Sequence, residues 1–371
     1  MKISPGIPIG LAGTAYQRGR QQHQWNPEFK PFVIQAVSER RNVMKTELDD
    51  PEVQSFLDSQ WAFTEQQSPE SLAEITGIAE GYGVQSKDLF AYLHLGVIDD
   101  RIGQEDGCTA FAIKQTSHGT ILAKNRDYQG AHQKLQQVFL NSDPAWGERR
   151  CLFVGSLGSP GAFSSGMNSD GLAVADNRIG WSTPGIGWLR YFLMTKILTD
   201  SSSVDEALDL IRSVDHVGGG SIVMADQSGK MATVELGQGQ IHVETQENTF
   251  IGHTNHYLHP RLAQFATPTP NDPMAGSSRG RLDKINTGPI AQNSNISLEN
   301  IAEFLGTHGG KTQSLCRHGI DGDSLTISSV IFCCQKRELY YCPGRPCETD
   351  WQVYTLSASI GSFGNVNGLS G

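Results

Sequence analysis

The chain reads as an α+β protein of layered helices and sheets, and three observations carry that reading. Apolar residues recur at three-to-four spacing through the first hundred positions, which is helical periodicity. From Cys108 onward the texture changes to short β-rich runs between glycine-rich turns. Those strands are first interrupted by a pair of helices and then resume, an order that suits stacked layers better than alternating βαβ units.

In chain order, Asn26-Pro27 opens a helix running through Phe32, Val33, Ala36 and Val37 to Met44. Pro51 to Gln66 predicts a second. Ser68-Pro69-Glu70-Ser71 caps a third, whose Leu72, Ile75, Ile78 and Ala79 share a face, and Gly81-Tyr82-Gly83 stops it. Ser86 begins a short fourth with Leu89, Leu93 and Leu95. This lead-in is long enough to be a domain of its own. Strands are predicted at Cys108 to Ile113, Ile121 to Lys124, Val138 to Leu140 and Cys151 to Gly155. Phe163 to Asn177 reads as strand–turn–strand about the hairpin signal Asp170-Gly171. Helices over 189–199 and 203–214 follow, the second amphipathic through Val204, Ala207, Leu208 and Ile211. Strands resume at Ser221 to Ala225, Met231 to Leu236 and Ile241 to Thr245. The proline-rich Thr267 to Pro273 is a loop. Helices near 278–286 and 298–306 precede a final pair of strands, Leu325 to Cys333 and Glu338 to Cys342.

A net charge of −10 without a basic run argues against a nucleic-acid partner. No apolar stretch is long enough to cross a membrane, and Pro5, Gly6, Pro8 and Gly10 break the mildly apolar N-terminus, unlike a signal peptide. Seven cysteines, an odd number without even spacing, favour reduced thiols and a cytoplasmic setting. Cys316, Cys333, Cys334, Cys342 and Cys347 cluster late with His318 nearby, but no C-x-x-C pair occurs. They read as strand cysteines, and no metal site is expected.

Chemistry gathers first at Glu105-Asp106-Gly107-Cys108-Thr109. Cysteine is the best side-chain nucleophile at neutral pH but needs a base beside it. If the Gly107–Cys108 bond were cut, the freed α-amine of Cys108, with an ordinary pKa of roughly 7.7–8.0, would be that base. The Cys108 thiol can make the cut itself by attacking the Gly107 carbonyl, shifting the acyl group from nitrogen to sulfur and leaving a thioester for water. Gly107 tolerates the backbone geometry this needs.

Asp127 follows Cys108 by 127 − 108 = 19 residues, enough for two paired strands and a turn to bring Asn125 or Asp127 back beside it. A carboxylate there would hold the thiol or ammonium and tune its pKa. Asn255, in Thr254-Asn255-His256-Tyr257, offers an amide N–H to a developing oxyanion. His253 and His256 are rival partners for a Cys–His pair. Ser278, Arg279 and Arg281 at a helix start suit a substrate carboxylate or Asp127.

These segments resemble the acyl-coenzyme A:6-aminopenicillanic-acid acyltransferase family. Asp106-Gly107-Cys108-Thr109, Lys124-Asn125-Arg126-Asp127, Gly166-Met167-Asn168-Ser169-Asp170-Gly171, Thr254 to Leu258, Ser278 to Leu282 and His308-Gly309-Gly310…Cys316-Arg317-His318 occur in the family's order. Tyr16 to Gln21, Ser328 to Phe332 and Gly344 to Glu348 extend the match over nearly the full length. The resemblance implies an N-terminal-nucleophile hydrolase fold, a four-layer αββα sandwich. It also implies a precursor that cuts itself before Cys108 into chains of 107 and 371 − 107 = 264 residues that stay together as a heterodimer. Residues 1–107 would be the helical segment, and 108–371 would carry the nucleophile and the sheets. By the same resemblance Cys108 is nucleophile and base, Asp127 supports thiol and amine, Asn255 is the oxyanion donor, and Arg281 completes the polar network.

Lys124, Asn125, Asn168, Ser278 and Arg279 would bind substrate or support those four, Lys124 sitting where related bile-salt hydrolases and penicillin V acylases carry Arg. The expected substrate is a small amide: an acyl- or β-alanyl-amine, penicillin-like or peptide-derived. No cofactor is expected, though a coenzyme A thioester suits the co-substrate role, and the heterodimer is free to form a higher homo-oligomer. Two rival readings are a single-chain Cys–His thiol hydrolase and a non-catalytic ligand-binding member of the fold.

Overall fold

The computed structural model describes residues 1–99, 107–245, 249–267, 276–292, 295–319 and 324–357. Strands β1 (Ile3–Pro5) and β2 (Ile9–Ala12) precede helices α1 (Ala15–Trp25), α2 (Lys30–Val43), α3 (Lys45–Leu48), α4 (Pro51–Gln67), α5 (Pro69–Tyr82) and α6 (Ser86–Asp99). Six strands follow: β3 (Thr109–Thr116), β4 (Gly119–Tyr128), β5 (Gln136–Ser142), β6 (Arg150–Ser156), β7 (Ser165–Asn168) and β8 (Ala173–Asn177). Helices α7 (Arg190–Asp200) and α8 (Val204–Arg212) lead to β9 (Ser221–Ala225), β10 (Met231–Gly237), β11 (Gln240–Thr245) and β12 (Phe250–His253). Then come α9 (Pro260–Ala263), α10 (Ser277–Thr287), α11 (Pro289–Gln292), α12 (Leu298–Leu305) and α13 (Gly310–Gln313). Strands β13 (Leu325–Cys333), β14 (Glu338–Cys342) and β15 (Trp351–Thr355) complete the described chain.

Among the described residues the strands form two sheets, one ordered β1-β15-β14-β13-β4-β3-β12 and the other β11-β10-β9-β8-β7-β6-β5-β2. Side chains alternate faces along a strand, and that alternation sorts the core into layers. Ala110 and Ala112 of β3 meet Leu152 and Val154 of β6 and Val223 and Ala225 of β9 between the sheets. The alternate residues Phe111 and Ile113 of β3 pack on Ile285, Ile301 and Phe304 of α10 and α12. On the other sheet Cys151, Phe153, Ile222 and Met224 pack under α2 and α4 to α8. The layers are therefore helix, sheet, sheet, helix, the expected αββα sandwich. Strands covered on both faces carry near-continuous apolar runs, which is why β6 and β9 are easily found in sequence.

Four short strands, β1, β2, β12 and β15, lie where none is predicted. β1 pairs with β15 and β2 with β5, both in parallel register, and β15 makes the C-terminal strands three instead of two. Through β1 and β2 the helical lead-in is thus stitched into both sheets. Gly19 of α1 and Gly77 of α5 let those helices touch, since a Cβ on either would lie 2.2 Å from a backbone carbonyl of the other. Arg18 of α1 is buried against Glu74 of α5 at 3.3 Å. Of the turn expected before Cys108, only Gly107 lies within the described residues. The proline-rich loop falls outside them beyond Thr267.

His94 of α6 is fully buried. Its Nδ1 meets the Phe90 carbonyl at 2.8 Å and its Nε2 meets the Gln60 amide at 3.3 Å, a pattern for a neutral ring. Burial pushes its pKa down from 6.5 to about 4. The unfolded chain takes a proton that the folded ring refuses, so stability is full above about 6.5 and falls as pH drops through that window. Calorimetry should show the melting temperature falling from pH 6.5 toward 4. A His94→Gln variant should show a smaller fall across the same range.

Candidate active site

Antiparallel register builds the site. Thr109 of β3 faces Asn125 of β4, and Asp127 of β4 faces Thr326 of β13. On the other flank Ala110 faces His253, the last residue of β12. Cys108, Asp127, Thr326 and the loop after His253 therefore leave the same end of the seven-stranded sheet. The interval counted from Cys108 closes in a hairpin, and the buried Cys108 thiol donates to the Asp127 carbonyl at 3.9 Å. The Asp127 carboxylate is held from the next strand, its Oδ1 accepting from the Thr326 hydroxyl at 2.6 Å.

Gly107 fits tightly beside that carboxylate. A Cβ at this position would lie 2.1 Å from Arg317 Nη1 and 2.7 Å from Asp127 Oδ2. A side chain here would have to displace both groups. Arg317 is buried, and its backbone N–H donates to Thr326 Oγ1 at 2.9 Å. Arg317, Thr326 and Asp127 thus form a linked group against the Gly107–Cys108 junction.

The opposite wall comes from α10. Arg281, almost wholly buried, donates from Nη1 to the Cys108 carbonyl and, at 2.8 Å, to the Thr109 hydroxyl. Its Nη2 donates to Asn255 Oδ1 at 3.0 Å, and its Nε to Ser277 Oγ at 3.3 Å. The Asn255 amide nitrogen, which carries two hydrogens, gives one to the Arg178 carbonyl at 2.8 Å. Ser278 Oγ accepts from the Asn255 backbone N–H at 2.8 Å, so it orients the loop. Arg279 is exposed, and this separates the two arginines that the sequence leaves as equals.

The histidines point elsewhere. His253 Nε2 meets Glu235 at 3.0 Å, while its Nδ1 meets Ser221 Oγ at 3.0 Å and the Thr254 carbonyl at 2.8 Å. His256 Nδ1 meets Ser278 Oγ at 2.7 Å. Burial, helped by the Arg279 charge, pushes His256 down to about 4, so it is neutral at pH 7.

The supporting residues divide. A cavity at Cys108 is walled by Arg40, Tyr92, Lys124, Arg126, Asp127, Phe163, Asp176, Arg178 and Arg190 among others. Within it Lys124 Nζ donates to Asp176 Oδ1 at 2.6 Å and Arg190 Nε to Asp176 Oδ2 at 2.7 Å. Burial pushes the Asp176 carboxyl up, but the two cations outweigh it and hold the group below the usual carboxylate range. Asn125 is spent on structure: its amide donates to the Leu305 and Leu315 carbonyls at 2.9 and 2.8 Å, and its Oδ1 accepts from Ser329. Asn168 organises its own hairpin, Oδ1 accepting from the Asp170 and Leu172 N–H groups, and donates to the Leu198 and Ser201 carbonyls. Arg317, Thr326 and Arg178 were not singled out from the sequence. Arg317 had one signal, its place inside Cys316-Arg317-His318, while the other two act through contacts made far along the chain.

A profile described as acyl-coenzyme A:6-aminopenicillanic acid acyl-transferase matches residues 114–348. No curated protein matches. Among solved structures the chain is similar to a variant of conjugated bile acid hydrolase from Clostridium perfringens, with 14% identity, TM-score 0.44, and coverage of 70% of this chain and 100% of that one. It is also similar to penicillin V acylase from Agrobacterium tumefaciens, with 13% identity, TM-score 0.38, and coverage of 63% and 82% respectively.

Removing one member of a buried charge group leaves its partners uncompensated, at a typical cost of ~3–5 kcal/mol. Asp176→Asn strands both Lys124 and Arg190 and should lose stability of that order in urea unfolding. A change below about 1 kcal/mol would mean that water already solvates the three charges.

Proposed function

The chain belongs to the acyl-coenzyme A:6-aminopenicillanic acid acyl-transferase family, and on that premise we propose that it cuts itself before Cys108 and then cleaves or transfers the acyl group of a small amide. The observation that carries the proposal is the bonded series from the Cys108 carbonyl through Arg281 to the Asn255 side chain. It brings three residues separated in sequence to the same end of β3.

In the first stage the Cys108 thiol attacks the Gly107 carbonyl. The peptide nitrogen leaves with a proton, and water hydrolyses the thioester to a Gly107 carboxylate and a free Cys108 amine. The close passage of Gly107 beside Asp127 and Arg317 supports this, since both groups sit against the bond to be cut. In the second stage the amine accepts the thiol proton, and the thiolate attacks the substrate carbonyl. The second Asn255 amide hydrogen and a backbone N–H hold the oxyanion. The Cys108 ammonium then protonates the departing amine, and water or a second amine takes the acyl group from sulfur. Five basic side chains against two carboxylates around the cavity favour a substrate whose acyl or amine part carries a negative charge. The hydrogen bonds of His253 and His256 weigh against the single-chain Cys–His alternative. A reducing cytoplasm would suit the free thiol, and a heterodimer of residues 1–107 and 108–371 would be the working form.

Cys108→Ala should remain one chain on a denaturing gel and turn over no amide. Cleavage persisting in that variant would assign the cut to another protease and end the proposal. Asn255→Ala should fold and lose kcat by ~10²–10³, the usual cost of one oxyanion donor. An unchanged kcat would remove Asn255 from that role.

A further inference from the structure

Outside the Cys108 cavity, three loops bring two imidazoles and two thiols together. His308 follows α12, Cys316 and His318 lie between α13 and β13, and Cys347 follows β14. One ligand atom from each lies within 4.8 Å of every other. His308 Nε2 is 3.0 Å from His318 Nε2. Cys347 Sγ is 3.3 Å from that same nitrogen and 3.5 Å from Cys316 Sγ. Cys316 Sγ lies 3.9 Å from His318 Nε2. Metal bonds of ~2.3 Å to sulfur and ~2.0–2.1 Å to nitrogen, at tetrahedral angles, set neighbouring donor atoms roughly 3.3–3.8 Å apart. The four separations bracket that spacing.

We propose that His308, Cys316, His318 and Cys347 form a tetrahedral Cys2His2 site for a zinc-class divalent cation. Two soft sulfurs and two imidazole nitrogens in this arrangement select zinc over the oxygen-seeking magnesium and calcium. The expectation that these cysteines are strand residues holds for Cys333 and Cys342, in β13 and β14, but not for Cys334, which begins the turn after β13, nor for Cys316 and Cys347, which lie in loops. The absence of a C-x-x-C pair hides the site in sequence, because Cys347 comes from a different loop, 29 residues beyond His318.

The site has a structural task. Arg317 sits between two of the ligands, and its guanidinium is the group that packs against Gly107. A cation joining Cys316 and His318 to Cys347 would fix the backbone that presents Arg317 and, through Thr326, would steady Asp127. Binding free energy at such a site becomes folding free energy.

The test uses the full-length protein, purified under reducing conditions without chelator from zinc-supplemented cells. Metal is measured by inductively coupled plasma mass spectrometry against protein from amino-acid analysis. About one zinc per chain is expected, falling at least tenfold in Cys316→Ser/Cys347→Ser. Cobalt added to stripped native protein should give a thiolate charge-transfer band and the intense visible bands of a tetrahedral centre. Should the double variant fail to fold by circular dichroism, the single variant His308→Ala, at an exposed ligand, takes its place, with a weakened or shifted cobalt spectrum expected. Native protein that carries no zinc and gives no cobalt bands overturns the proposal. So does zinc retained at full stoichiometry by a folded double variant, or a Cys316–Cys347 disulfide in the protein as isolated. Metal content is read whether or not the chain is cut or active, so this result and the proposed amide chemistry can fail separately.

Discussion

The Arg281 guanidinium bonds at once to the Cys108 carbonyl, the Thr109 hydroxyl and the Asn255 side chain, with Ser277 below it. Burying a guanidinium is costly, and the cost is offset only when its fork of N–H groups is well partnered. Here the partners belong to three elements: the start of β3, the loop after β12 and the first turn of α10. Each acceptor is held in turn. Asn255 is tied by Ser278 and the Arg178 carbonyl, while Thr109 lies in the sheet opposite Asn125. The geometry around Cys108 is therefore set by one charge that lies outside both sheets.

The rest of the fold keeps that charge dry and its partners in register. Small residues, Ala110, Ala112, Ala173, Ala175 and Ala225, let the two sheets approach, and larger side chains fill the helix-facing sides. Helices from the N-terminal segment do more than cover a sheet. Arg40 of α2 and Tyr92 of α6 line the cavity at Cys108, and β1 and β2 complete an edge of each sheet. On the proposed chemistry, a cut before Cys108 would leave the first segment bound by these contacts as part of the site.

Local features of the site are legible in the sequence and distant ones are not. The Cys108–Asp127 relation is a hairpin of known length, and Cys108 and Asp127 meet as that length predicts. Helix α4 begins at Pro51 and α5 at Pro69, where proline at the first helical position signals them. β1, β2 and β12 escape notice because they are short edge strands whose partners lie far away in sequence, and β15 is a short inner strand between β1 and β14. The choice between Arg279 and Arg281 depends on how α10 docks, which no local pattern records. Arg317 and Thr326 reach Asp127 and Gly107 only once β13 has paired with β4. His308, Cys316, His318 and Cys347 likewise share no spacing motif and meet only when three loops fold together.

On the proposed chemistry, Cys108 differs from the cysteine of any ordinary thiol enzyme by carrying an amine and a thiol on the same residue. A cyanobenzothiazole dye condenses with such a 1,2-aminothiol and releases ammonia, whereas an internal cysteine gives no stable product. Freshly purified protein, denatured and treated with the dye, should carry one label on the 371 − 107 = 264-residue fragment, mapped to Cys108. An unlabelled protein whose cysteines still alkylate normally would contradict the account.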